Sequence, residues 1–427
     1  MKIVRAGLYA IFAFAVLAHG TVEPWSEAIL EIGAAVLFLI WSVVICRKSN
    51  SKLYWSPLNV WILGFIGIGV AQLIFRATVY PFLTRAELLK LAAYFLIFFL
   101  TAQAFRERAH MVRLGWFLIF FCFAVSLLGI IQHFTADGKI YWFREPVSGG
   151  DTFGPYVNRN HFAGFVELVL PVGLALLIFR GVRRDIFPMT ALLTIIPIGA
   201  LILSGSRGGI VGLAFELGVL GLLAKSRKGP EGPRVAALAM VGLAAVALIV
   251  WLGTGKVLER FASVPTGDVL LSRRVTMFRS SFHIFLDHPI KGTGLGTLVA
   301  VYPRYETGYD GKVVDHAHND YVETLAETGM LGGICGLMFL WVLFREARKK
   351  FGEEQGHFSR GLHAAGITAV SGLLLHSLVD FNMHIPSNAL LFLLLAHLAT
   401  SPAIPSEGAV RRRRERVPAH TESSVAG

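Results

Sequence analysis

The stretch "DHAHNDYVETLAETGMLGG" occupies residues 315–333 and runs directly into "ICGLMFLWVLF" at 334–344. Two histidines, two aspartates and two glutamates stand at the mouth of an apolar segment. A helix that crosses a bilayer needs about 20 mostly apolar residues, and hydrocarbon rejects ionised groups unless they pair or line a wet cavity. The pattern predicts a membrane helix whose polar end lies at a surface.

The rest of the chain repeats the theme. Of its 427 residues 54% are hydrophobic and 16% charged, against about 25% charged in a soluble globular chain. Twelve apolar segments qualify as candidate spans: 4–19, 27–46, 57–75, 86–104, 111–133, 160–179, 187–204, 207–224, 235–252, 320–344, 361–379 and 386–400. The expected fold is an all-α polytopic membrane protein of about twelve transmembrane helices. Residues 1–403 form one transmembrane domain, and 404–427 a basic, disordered cytoplasmic tail. The first segment reads as an uncleaved helix rather than a signal peptide, because eleven more follow it. Cys46, Cys122 and Cys335 fall in apolar runs without paired spacing and read as packing residues. Neither a metal nor a cofactor is expected.

Lys and Arg concentrate in alternate connections, including Arg47, Arg106, Arg180, Lys225, Arg345 and the tail from Arg411 to Arg416. The positive-inside bias places these, and both termini, in the cytoplasm. The net charge of +12 therefore reads as topology and contact with anionic lipid, not nucleic-acid binding. The expected location is a bacterial inner membrane, with the opposite face in the periplasm. The longest outer loop, about 253–317, precedes the tenth span. Within it Val275, Phe278, Phe282, Phe285 and Leu286 recur at helical spacing. They predict an amphipathic helix ending before Pro289, lying on the outer surface and capping a cavity.

Arginine on the outer side runs against the charge bias and is therefore informative. Arg159, Arg207, Arg273, Arg274 and Arg279 all fall there. Arg207, in "SGSRGG", sits at or below the interface. It reads either as a snorkelling arginine or as an anion site, with Gly205, Gly208 and Gly209 leaving N–H groups open at a helix start. Together the arginines suggest an outer cavity that holds a doubly charged anion such as a lipid-linked diphosphate.

In the opening stretch His318 is expected to begin the helix. There the helix dipole favours a neutral imidazole able to accept a proton; a plain helix-cap histidine is the alternative. Asn319 is placed to meet a sugar hydroxyl or orient the ring. His318, Val322, Leu325, Gly329, Gly332, Gly333 and Gly336 share one helical face, bare in its lower part. Glu327 lies roughly 13 Å along the helix at 1.5 Å per residue, too far for direct contact with His318. It reads as a structural partner for a buried arginine or amide.

"HNDYVETLAETGMLGG", with His318, Asn319, Gly329 and Gly332, resembles the signature of the O-antigen ligase and O-antigen polymerase superfamily. The "SGSRGG" arginine and the loop pattern ending in "DHPIKGTGLG" resemble it too, over about 150–400. The resemblance implies a metal-independent, inverting glycosyltransferase acting at the periplasmic face. Its donor would be a polyprenyl-diphosphate-linked glycan. Its acceptor would be lipid A–core (ligase), another lipid-linked glycan (polymerase) or a protein hydroxyl (oligosaccharyltransferase). Carried over, His318 would be the base, and Arg207 and Arg274, with Arg273 beside it, would hold the diphosphate. A flippase or transporter of lipid-linked saccharide is the competing class, and would scatter polar groups at several depths; Glu167 and Glu216 are the acids that fit it.

Overall fold

The structure, a computed structural model, describes residues 1–47, 53–146, 151–225, 269–307, 311, 313–354 and 356–402. Among these the chain is helical, with two isolated bridges, Ile140–Arg144 and Phe153–Tyr156. The helices are α1 (Lys2–Leu17), α2 (Pro24–Cys46), α3 (Asn59–Ile74), α4 (Pro81–Ala104), α5 (Arg108–Thr135), α6 (Arg159–Ile178), α7 (Phe187–Leu203) and α8 (Arg207–Lys225), then α9 (Val269–Asp287), the single turn α10 (Leu298–Val301), α11 (Asp320–Glu353), α12 (His357–His376) and α13 (Pro386–Thr400).

Among the described residues six helices are long and apolar enough to cross a membrane: α2, α5, α6, α7 with the turn before it, α8 and α11. Of the other expected spans, α1, α3 and α13 are shorter helices, and α4 and α12 carry charged residues or histidines along their length. α13 has 15 residues, about 22 Å at 1.5 Å per residue, less than the roughly 30 Å hydrocarbon core. α4 carries Arg85, Glu87 and Lys90, and Lys90 pairs with Glu87 at 2.7 Å. The candidate span 235–252, the first part of the long loop and the tail 404–427 lie outside the described residues.

α6 is the axis of the bundle. Every residue from His161 to Ile178 is buried, and α5, α7, α8, α12 and α13 pack around it. A helix apolar all round belongs inside. Lipid tails are as apolar as leucine, so close fit rather than water exclusion drives such packing, and small residues permit it. A Cβ on Gly361 would stand 3.4 Å from the Ala175 carbonyl of α6, and one on Gly366 2.6 Å from the Ala399 amide of α13.

α11 is two half-helices. Gly329 adopts φ 62°, ψ −160°, a left-handed conformation that costs a residue with a Cβ 1–2 kcal/mol or more. The break exposes backbone groups, and the segment after α9 fills them. Met330 and Leu331 donate N–H to the carbonyls of Pro289 (2.8 Å) and Ile290 (3.4 Å); Thr293 and Gly294 donate to those of Ala326 (3.0 Å) and Glu327 (2.9 Å). The continuous face expected from His318 to Gly336 is therefore interrupted at Gly329.

α9 forms as its periodicity requires and ends before Pro289. Val275, Phe278, Phe282 and Leu286 are exposed, while Met277, Ser281 and Ile284 are buried. Met277 and Ile284 join Leu298, Tyr302, Ala317 and Ala326 in a small separate core. Met277 and Ile284 thus pack beside the first half of α11, and the apolar stripe read from the sequence faces outward. Nor does α9 line the cavity described below.

Candidate functional site

α6 and α8 begin, and α12 ends, at one end of the bundle. Gly208, one residue into α8, lies so close to the His376 ring that a Cβ would collide with it, and a Cβ on Gly209 would stand 2.6 Å from that of Ala163 in α6. These glycines serve helix packing. Two of the three glycine N–H groups expected to be open around Arg207 are engaged: Gly205 donates to the Ile202 carbonyl and Gly209 to the Ser206 hydroxyl (3.2 Å). Arg207 itself is half-buried at the start of α8.

The hub of this end is Asp380, fully buried in the link between α12 and α13. One carboxylate oxygen faces His318 Nδ1 at 3.3 Å and accepts the Phe381 N–H at 2.9 Å. The other accepts from Asn160 Nδ2 at 2.6 Å and from the Arg274 guanidinium at 3.3 Å. His161 Nε2 stands 3.9 Å away. Burial alone would raise the Asp380 carboxyl. The His318 hydrogen bond, with Arg274 and with His161 and His318 whenever they are protonated, overrides it and holds the group well below the usual carboxylate range. Four elements thus meet on one carboxylate: α6, α9, the segment before α11, and the link after α12.

His318 does not begin the helix. Asn319 is the N-cap, its side-chain oxygen accepting N–H from Tyr321 and Val322 at 3.0 Å each while its amide donates to the Leu378 carbonyl at 2.8 Å. The side-chain oxygen thereby caps the helix, and the amide tethers it to the link after α12. Capping wins because an Asn oxygen at this position satisfies otherwise orphaned helix N–H groups. His318 stands just before the cap at φ 50°, sparsely populated for a residue with a Cβ and typical of functional strain. Its ring is held by Asp380 rather than by the helix dipole, and rests edge-on to Phe381 at 4.8 Å between centroids.

Of the five arginines singled out from sequence, Arg274 contacts Asp380. Arg159 pairs with Asp151, and Arg273 is half-buried beside Arg274. Arg279 is exposed on α9. Glu327 is bound by two backbone amides: Gly296 N–H (2.8 Å) and Leu298 N–H (2.9 Å), at the start of α10. It pins the loop after α9 to α11. Gly332 accommodates the Thr328 side chain one turn back. Deeper in, Glu167 pairs with His376 at 2.6 Å, and the oxygens of fully buried Glu216 have no hydrogen-bond partner among the described residues.

Beside this site lies a cavity of about 420 Å³ between α3, α4, α11, α12 and α13. Trp61, Phe65, Leu91 and Phe339 contribute apolar wall; Glu87, Asp320, Glu327 and His384 also line it.

Asp380, Asn160 and His161 were not singled out from sequence. Asn160 and His161 adjoin Arg159 in "NRNHF", and Asp380 is the lone acid of "HSLVDFNMH" between two apolar segments. An acid at the end of a candidate span was the available signal.

Residues 192–337 match the family model described as O-antigen ligase. The matched segment carries Arg207, Arg274, His318 and Glu327 and stops before Asp380. No curated protein matches the chain. The chain resembles the O-antigen ligase and polymerase superfamily, which supports glycosyl transfer of the ligase or polymerase type by a membrane protein.

Proposed function

We propose that this protein transfers a glycan from a polyprenyl-diphosphate carrier to an acceptor hydroxyl at the outer face of the bacterial inner membrane, by a single inverting displacement that uses no metal in the chemical step. The observation that carries the reading is the contact of His318 and Arg274 with one buried carboxylate, Asp380. Asp380 keeps the proton of the neutral ring on Nδ1, so Nε2 presents a lone pair as general base. The acceptor hydroxyl gives its proton to Nε2 as its oxygen attacks the anomeric carbon. The bond from that carbon to the diphosphate breaks, and its electron pair leaves on the diphosphate.

Arg274 and Arg207, with Arg273 and Arg159 nearby, supply positive charge where the leaving group gains negative charge. The starts of α6 and α8 add their dipoles at the same end. A clamped diphosphate leaves without a general acid, so no second carboxylic acid is required. The adjacent cavity, largely apolar, takes the first part of the carrier chain. Lipid A–core and a second lipid-linked glycan are both acceptors compatible with this chemistry.

His318→Ala in proteoliposomes supplied with a lipid-linked glycan should lose about 10²–10⁴-fold in transfer rate, the usual worth of a general base, with insertion and melting temperature retained. Full activity in that variant removes the assignment. Translocation of the donor without transfer would instead favour a flippase.

A further inference from the structure

A second cluster lies on the other side of Phe381. The His316 ring stacks on Phe381 at 4.4 Å and sits 4.8 Å from the His384 ring. His316 Nδ1 and His384 Nε2 both point at one oxygen of Glu323, at 2.7 and 3.3 Å. The other Glu323 oxygen is taken by the Ala317 N–H at 2.8 Å. Three ligand-type atoms therefore converge within 4.8 Å of one another. In a tetrahedral site with bonds of about 2.0–2.1 Å, ligand atoms stand roughly 3.3 Å apart, so small shifts open room for an ion.

The supporting groups are those of a metal centre. His384 Nδ1 is hydrogen-bonded to Asp320 at 2.8 Å, and Asp320 accepts the Met383 N–H at 3.1 Å. Such a carboxylate–histidine pair fixes the ring and leaves Nε2 for a cation. Glu323 and Asp320 are 1% and 5% exposed, and two buried carboxylates call for two positive charges. His316 and His384 retain partial exposure, which gives an ion a way in. Two imidazoles and one carboxylate suit zinc-like ions over magnesium or calcium.

We propose that His316, Glu323 and His384 bind one zinc-like divalent cation, with Asp320 orienting His384. The cation is structural. It ties the segment before α11 to the link before α13, and thereby holds the strained loop that carries His318. It takes no part in the displacement, so this inference and the glycosyl-transfer reading fail separately. The supporting pair comes from distant parts of the chain: Asp320 and His384 are 64 residues apart.

The full-length protein, freed of any polyhistidine tag, is stripped with chelator in nanodiscs and titrated with Zn²⁺ against a chromophoric competitor. The expected result is one Zn²⁺ per chain, undisturbed by excess Mg²⁺, with a raised melting temperature. His384→Ala and Glu323→Gln should abolish tight binding. Asp320→Asn should weaken it about 10–100-fold, and His318→Ala should leave it unchanged. Co²⁺ in the wild-type protein should give the visible absorption of a tetrahedral site, a readout that survives if a variant fails to fold. Substoichiometric binding to the wild type, or equal affinity in wild type and His384→Ala, overturns the proposal.

Discussion

Replacing Asp380 by Asn tests the hub most severely. The carboxylate faces donors on both oxygens: His318 and the Phe381 N–H on one, Asn160 and Arg274 on the other. An Asn has one acceptor and one donor end. With its oxygen toward His318, its NH₂ opposes Asn160 and Arg274. With the amide reversed, its NH₂ faces His318, and the ring must carry its proton on Nε2, where the base is needed. Either orientation disables one half of the site. The expected loss is about 10²–10⁴-fold in single-turnover transfer rate, or roughly 2.7–5.4 kcal/mol of barrier at 1.36 kcal/mol per decade. Stability should fall by less, about 1–3 kcal/mol for an imperfectly satisfied buried group. The assay is transfer of a fluorescent glycan from its lipid carrier to acceptor in proteoliposomes, with melting temperature measured in parallel. A rate within threefold of wild type would show that Asp380 neither sets the ring's tautomer nor positions Arg274, and the reasoning would fail.

Arg274→Ala should lower transfer by about 10²–10³-fold, the usual cost of one preorganised donor, whereas Arg279→Ala, at an exposed position, should stay within twofold; equal losses would contradict the separation. Gly329→Ala should cost roughly 1–3 kcal/mol from its left-handed φ, plus the collision with the Ile290 carbonyl. Gly336→Ala, with open space around it, serves as the neutral control in a thermal-shift measurement. Glu327→Gln leaves only one acceptor oxygen for the Gly296 and Leu298 amides, so about 1–3 kcal/mol is lost. Hydrogen exchange should accelerate at those two amides first, and unchanged protection there would refute the pinning role.

The helical membrane class was legible from hydropathy because span formation depends on some twenty contiguous residues, and the candidate arginines and histidine stood out because the same local rule makes charge at a membrane surface conspicuous. α9 likewise announced itself by period, yet which face it buries depended on the hollow beside α11. The helix start was expected at His318, but Asn319 takes the cap because its side-chain oxygen meets the orphaned N–H groups of Tyr321 and Val322. Asp380 gathers Asn160, Arg274 and His318 from 220, 106 and 62 residues away, and Glu327 finds its amides 31 and 29 residues upstream. Hydropathy is a sum over neighbours in the chain. Partnership is a property of packed helices, and only the tertiary structure brings those distances below 4 Å.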